Sequence, residues 1–248
     1  MATGSYEKCK SYIETHSPLT ETLSGRGHNY PCITISRETG AGAQLVCEEL
    51  INILEPVSEQ NDVNWTYFDR ELIERVLEDH NLPKQLSKYM EEEKYRYLSG
   101  DVDVLLGLHP SQWTLLHKMT ESILQLARMG KVIIVGRGAN IITAKLKNSF
   151  HVRLVAPLHN RVKHIMKIEN ISEKEAETFV KQKDKARRDY VKSSFSKNVE
   201  DLEMYHIVVN TGLMSYKESA DIIAAAVMMK FPELFNAGGN KNNVKPFL

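Results

Sequence analysis

Arginine is the residue type whose placement says most about chemistry in this sequence. Its planar guanidinium binds phosphate oxygens two at a time and stays charged at any physiological pH. Arg37 opens the run Glu38-Thr39-Gly40-Ala41-Gly42-Ala43-Gln44, and Arg137 stands between Gly136 and Gly138 after an apolar run. Arg161, Arg187 and Arg188 fall in a stretch, Arg153 to Lys197, that holds twelve Lys and Arg against six Asp and Glu. Phosphoryl transfer asks little covalent chemistry of a protein. It asks for positioning and for positive charge around the group in flight.

The turn after Arg37 has the makings of an anion site. A strand, a glycine-rich turn and a helix start leave backbone N–H groups and the helix dipole aimed at a phosphate. Thr39, Gly40, Ala41, Gly42, Ala43 and Gln44 are the residues that would wrap it. The common phosphate loop, GxxxxGK[ST], is not matched, because Ala43 stands where its lysine belongs. The alternative is a plain strand-to-helix turn. Arg37 would supply some of the charge the lysine normally supplies, or would pair with Glu38 at the sheet edge. Gln44 would donate to a phosphate, or belong to the ordinary surface.

Arg137, a charge following a buried strand, needs a partner: a ligand phosphate, or a structural ion pair. Arg75 has the same two readings, with Glu71 or Glu78 as ion-pair partner. Asp69 would cap the helix that follows it, or contact a ligand at the sheet's carboxyl edge. Arg187 and Arg188 are adjacent, and adjacent helical residues point about 100° apart, so one of the pair is expected to reach a phosphate. The charged stretch as a whole has a solvated helix face as its alternative. No metal-binding spacing such as HExxH is present among the nine histidines, and no metal ligands are assigned.

The elements that must position these residues follow from the pattern. Short apolar runs at Cys32–Ser36, Trp65–Phe68, Lys131–Val135, Phe150–Val155 and Tyr205–Val209 alternate with helical spacing. That predicts an α/β fold with a parallel sheet covered on both faces. Ligands of such sheets sit outside the carboxyl ends of the strands, where the arginines and the glycine turn fall. Helices are predicted from Leu45 to Leu54, through most of 84–129, over Arg161 to Ser194 as one stretch, and from Tyr216 to Met229. Trp113, Leu115, Leu116, Met119, Ile123 and Leu126 form a stripe that predicts core or a subunit interface, which leaves a homodimer open.

These segments, in this order, resemble the cytidylate kinase-like family of the nucleoside monophosphate kinase type. Cys32-Ile33-Thr34-Ile35-Ser36-Arg37-Glu38-Thr39-Gly40-Ala41-Gly42 is similar to the family's opening ISRE-x-G-S-G-G, a branch that often lacks the loop lysine. Tyr67-Phe68-Asp69-Arg70-Glu71-Leu72-Ile73, Ile134-Val135-Gly136-Arg137-Gly138, Asp184-Lys185-Ala186-Arg187-Arg188-Asp189-Tyr190 and Val208-Val209-Asn210-Thr211-Gly212 resemble its later segments. The resemblance implies a three-layer α/β/α P-loop kinase fold with a central parallel five-stranded sheet, a helical acceptor-binding insert and a lid. It divides the chain into an N-terminal extension (1–30), the kinase-like domain (31–235, with insert 84–129 and lid region 158–197) and a tail (236–248) expected to be disordered. It implies ATP and Mg2+ as cofactors. Arg37, Arg187 and Arg188 become catalytic candidates, Arg161 joins the turn in holding the donor, and Asp69, Arg75 and Arg137 hold the acceptor.

The activity so implied is ATP-dependent phosphoryl transfer to a nucleoside monophosphate, CMP or dCMP first. Ala43, Gln44 and Gly138 depart from the pattern of active kinases, which keeps two alternatives: a kinase for another small molecule, and a non-catalytic nucleotide-binding regulatory module. Lys and Arg together equal Asp and Glu, at 32 each, so net charge selects no partner. No basic tail with interleaved aromatics points to nucleic acid. Three scattered cysteines exclude a disulfide framework. Without an apolar leader or a run near 18 apolar residues, the expectation is a cytoplasmic protein that is not in a membrane.

Overall fold

β1 (Cys32–Arg37) forms where the β-branched run Ile33-Thr34-Ile35 favours extended backbone, and it is the middle strand of the sheet. The structure, a computed structural model, describes residues 30–58, 64–69 and 112–235, the side chains of 112–115, 117 and 118 excepted. The N-terminal extension, Arg75, most of the predicted insert, the Trp113 and Leu115 side chains and the tail lie outside the described residues.

From β1 the chain enters α1 (Ala43–Leu54). After β2 (Thr66–Phe68) come α2 (Gln112–Met129), β3 (Val132–Val135), the short α3 (Ala139–Ile142) and β4 (Ser149–Val155). Then follow α4 (Leu158–Glu169), α5 (Glu173–Phe195), a 3-10 turn at Leu202–Met204, β5 (Ile207–Asn210) and α6 (Tyr216–Lys230). All five strands are parallel, in the order β2-β3-β1-β4-β5, with Ile33 opposite Ile133 on one side and Phe150 on the other. This is the five-stranded α/β/α arrangement the sequence predicts.

Side-chain alternation along the strands divides the interior into two cores. Ile33, Ile35, Val152 and Leu154 meet Val46 and Leu50 of α1 and Ile223 and Val227 of α6. Cys32, Val132 and Ile134 meet Met119, Ile123 and Leu126 of α2 and Tyr190 and Val191 at the end of α5. The predicted apolar stripe is therefore core at Met119, Ile123 and Leu126. Both described cysteines are buried, and burial raises the Cys32 thiol to about 12 and pushes Cys47 up as well. They are packing groups.

One expectation needs correction. The stretch predicted as a single helix from Arg161 to Ser194 is two helices. Asn170 turns left-handed (φ 53°) and ends α4. Ser172 and Glu175 then form a reciprocal capping box that starts α5. The pair packs through a small core of its own, Val162, Ile165, Ala176 and Val180. No helix among the described residues is long and apolar enough to cross a membrane.

Candidate functional site

The glycine turn sits at the carboxyl end of β1, in the centre of the sheet. Gly40 has φ +82°, and a Cβ there would meet the Arg161 carbonyl oxygen at 2.6 Å. A side chain is excluded both by backbone conformation and by space. Gly42, also left-handed, precedes α1 with no side-chain cap, so the first N–H groups of α1 have no side-chain acceptor there. The turn is braced from the far side by Thr211, whose hydroxyl donates to the Ala41 carbonyl at 2.9 Å.

Three residues of the α4–α5 pair close on this turn. Arg161, buried at the start of α4, donates from Nε to the Ala156 carbonyl (2.8 Å) and from Nη1 to the Thr39 carbonyl (3.2 Å). Asp184 accepts from Arg161 Nη1 at 2.6 Å, and from the backbone N–H and hydroxyl of Thr39 at 2.7 and 2.6 Å. Arg187, one turn further along α5, donates to the Thr39 hydroxyl and lies 3.4 Å from Asp184 Oδ1. Glu38 points back, accepting the Ala156 N–H at 3.0 Å and pairing with Arg161 at 3.4 Å. One carboxylate thus gathers two guanidinium groups and a backbone N–H at the mouth of the turn. Such charges stay in place only because they are paired.

A second constellation adjoins the first. Gly136 (φ +85°) leaves its Cα bare, and the Arg37 guanidinium lies over it: a Cβ would come within 2.0 Å of Nη1. Arg137 is held at φ +55°, 3% exposed, with its guanidinium 5.7 Å from the Tyr190 ring centre. Arg37, Arg137 and Arg187 line one cavity of about 30 Å3, with Ser36, Asn140 and Tyr205. Arg153 stands beside it, donating to Ser36 Oγ at 3.1 Å and stacking on Tyr205. The Arg187 Nε is buried and makes no hydrogen bond among the described residues.

The structure brings together most of the predicted residues. Thr39, Gly40, Ala41, Gly42, Arg161 and Arg187 meet at the turn, and Arg37 and Arg137 meet in the adjoining cavity. Asp69 follows β2 and, like Arg37, lies near enough to Cys47 to act on its thiol. Arg75 lies outside the described residues. Two of the candidates lie apart from this cluster. Arg188 faces away, 3.9 Å from Glu200 on the surface, because the helical twist that sends Arg187 inward sends its neighbour out. Gln44 is exposed and donates to Glu48 at 3.1 Å, one helical turn on. Ala43 begins α1 and offers a backbone N–H only. Of the alternatives for Glu38, the ion pair it makes among the described residues is with Arg161.

Sequence reasoning missed Asp184, Ser36, Arg153 and Tyr190. Asp184 carried one signal: an acid three residues before Arg187 in a basic stretch, on the same helix face. Ser149, His151 and Arg153 also alternate with the apolar Phe150, Val152 and Leu154. That marks a polar stripe on one sheet face, which a reading of β4 as a buried strand passes over.

The sequence profile of the cytidylate kinase-like family matches residues 32–213, from the first residue of β1 to the turn after β5. The chain belongs to the cytidylate kinase-like family. Among solved structures, an uncharacterized protein from Eubacterium ventriosum superposes with a TM-score of 0.60 at 20% identity, covering 80% of this chain and 98% of the other. That likeness shows the shared fold. A shikimate kinase from Acinetobacter baumannii, in complex with shikimate, is a more distant match: TM-score 0.44, 17% identity, 85% and 97% covered. A uronate isomerase from Corynebacterium glutamicum is 27% identical over 113 residues, 46% of this chain, and the matched region spans 22% of that protein's length. Family membership makes this a kinase-like protein. The glycine turn, Arg161 and Arg187 all fall inside the matched region.

Proposed function

We propose that the protein transfers a phosphoryl group from ATP to a nucleoside monophosphate, CMP or dCMP first among acceptors. The observation that carries this reading is the convergence of Arg161 and Arg187 on Thr39, beside a cavity shared by Arg37, Arg137 and Arg187. The donor's phosphates would lie in the glycine turn, on the first N–H groups of α1. Arg187 belongs to both constellations and stands where donor and acceptor phosphates would meet. Positive charge aimed at that point stabilises the transferring group.

The missing loop lysine is compensated in this reading by arginines from two other elements. Arg37 enters from the end of β1, and Arg187 from α5. Asp184 holds Arg161 and Arg187 in register before a nucleotide arrives. The residues suit a polyphosphate: a tight glycine turn, uncapped N–H groups and guanidinium donors. Magnesium would accompany ATP and neutralise its phosphates.

The test is ADP release from Mg-ATP across a panel of nucleoside monophosphates, with controls lacking acceptor. Turnover that depends on CMP or dCMP supports the reading. Turnover on a different phosphate acceptor moves the substrate and keeps the chemistry. ATP binding without turnover on any acceptor overturns it in favour of a regulatory nucleotide-binding module.

A further inference from the structure

A larger concavity lies on the same sheet face, toward the amino ends of β4 and β5. Its volume is about 440 Å3, in the range of single small-molecule sites, roughly 300–1,000 Å3. His151 of β4 lies in its floor, and Lys147, Lys197, Lys230 and His206 stand around it against one carboxylate, Glu203. Burial and Lys230 keep both histidines below their ordinary range, His151 at about 4. At neutral pH the cavity therefore carries three ammonium groups and one negative charge.

Two further features call for an acceptor. The Asn140 side chain, 7% exposed, lies in the wall between this cavity and the smaller one lined by Arg37, Arg137 and Arg187, and its Nδ2 makes no hydrogen bond among the described residues. Burying an amide donor without a partner is costly, about 1–3 kcal/mol, so such groups are usually satisfied by something. The second feature is the contact of Lys230 Nζ with His206 Nε2 at 2.6 Å. It holds an ammonium group at the rim of the cavity, where an anionic oxygen would meet it.

We propose that this cavity is a second ligand site, taking a soluble phosphate-bearing small molecule. Its phosphate is held by Lys230 and Lys197, and its polar body accepts from Asn140 Nδ2. Compact ammonium charges suit phosphate as point charges. A concave floor of side chains suits a discrete molecule. The site is distinct from the glycine turn, whose groups Thr39, Arg161 and Arg187 do not line it.

The test is calorimetric titration of the full chain with pyrophosphate at low salt. Wild type is expected to show two classes of site. Lys197→Ala/Lys230→Ala is expected to weaken one class about tenfold or more, the scale of one lost charged hydrogen bond, leaving the other and the melting curve unchanged. Lys174→Ala/Lys181→Ala, an exposed pair outside the cavity, is expected to leave both classes unchanged, which loose attraction to surface lysines would not do. Arg187→Ala addresses the turn and the arginine-lined cavity beside it. If only Arg187→Ala acts, or pyrophosphate binds with a stoichiometry of one at the turn, this proposal is overturned and the phosphoryl-transfer reading stands. If the Lys197 and Lys230 pair acts while Arg187→Ala does not, the second site stands and the turn's role falls. Lysine-dependent pelleting with phosphatidic acid vesicles, without pyrophosphate binding, would assign the lysines to a lipid surface and overturn the proposal.

Discussion

Asp184 accepts both the backbone N–H and the hydroxyl of Thr39, at 2.7 and 2.6 Å, across 145 positions of sequence. The same carboxylate carries Arg161 and faces Arg187. It is the carboxylate that both Arg161 and Arg187 share, Glu38 pairing with Arg161 alone, so its removal leaves two partly buried cations with less to hold them. Asp184→Asn is expected to lower stability by about 3–5 kcal/mol, the usual range for breaking a buried pair. Thermal melts with and without ATP check this. ATP should restore more of the melting temperature in the variant than it adds in wild type, because its phosphates supply the missing negative charge.

Gly40→Ala tests the close approach of α4 to the turn. The left-handed backbone alone costs a non-glycine residue roughly 1–2 kcal/mol, and the added methyl would press on the Arg161 carbonyl. The expected result is a lower melting temperature together with weakened ATP binding, read by calorimetry on the folded fraction.

Arg187 and Arg188 separate by direction alone. Arg187→Ala is expected to lower kcat on the order of 10²–10³-fold, the scale for losing one donor aimed at developing charge. Arg188→Ala removes a surface pair with Glu200 worth at most about 1 kcal/mol, and should leave kcat within a few-fold of wild type. Steady-state kinetics on the two variants side by side decides it. Equal losses would place both on the reacting group.

Arg137→Lys keeps the charge and removes the planar fork. If Arg137 holds the acceptor phosphate, KM for the acceptor rises about tenfold or more, as expected for a lost charge-assisted bond, with a smaller change in KM for ATP. A change confined to the melting temperature would assign Arg137 to packing on Tyr190.

His151 ties stability to pH. Its imidazole, buried beside Thr34, titrates at about 4 in the folded protein against an ordinary 6.5. The unfolded chain takes up the proton first as pH falls, so the neutral form's contribution is complete above pH 6.5 and is lost from there down to about 4. The loss amounts to roughly 3 kcal/mol by pH 4 at 1.36 kcal/mol per pH unit. His164 and His206 are lowered in the same direction. Denaturant melts of wild type and His151→Gln between pH 7 and 4 should converge as the acid limb is reached.

The strands were legible because each is a short apolar run followed by a turn residue. Cys32–Arg37 and Val132–Val135 end where glycine or charge begins. The glycine turn, Arg161 and Arg187 were legible for the same reason: they sit just past strands or in a local excess of charge. Which of Arg187 and Arg188 points inward was not legible, because composition carries no phase. Only the geometry of α5 separates its direction from that of Arg187. The break at Asn170 was written as Ser172-x-x-Glu175 and was outweighed by the continuous run of charged residues around it. Asp184 was harder, since its meaning depends on Thr39 and Arg161, and contacts over such separations leave no trace in local pattern.

The pair α4 and α5 behaves as a caliper. Its jaws are Arg161 on one arm and Arg187 on the other, and Val162, Ile165, Ala176 and Val180 form the pivot block that sets their span. Because that block is separate from the two main cores, its packing can be altered without disturbing the sheet. Ile165→Ala would change the gauge of the caliper without altering either arginine, and both guanidinium groups would go out of alignment together.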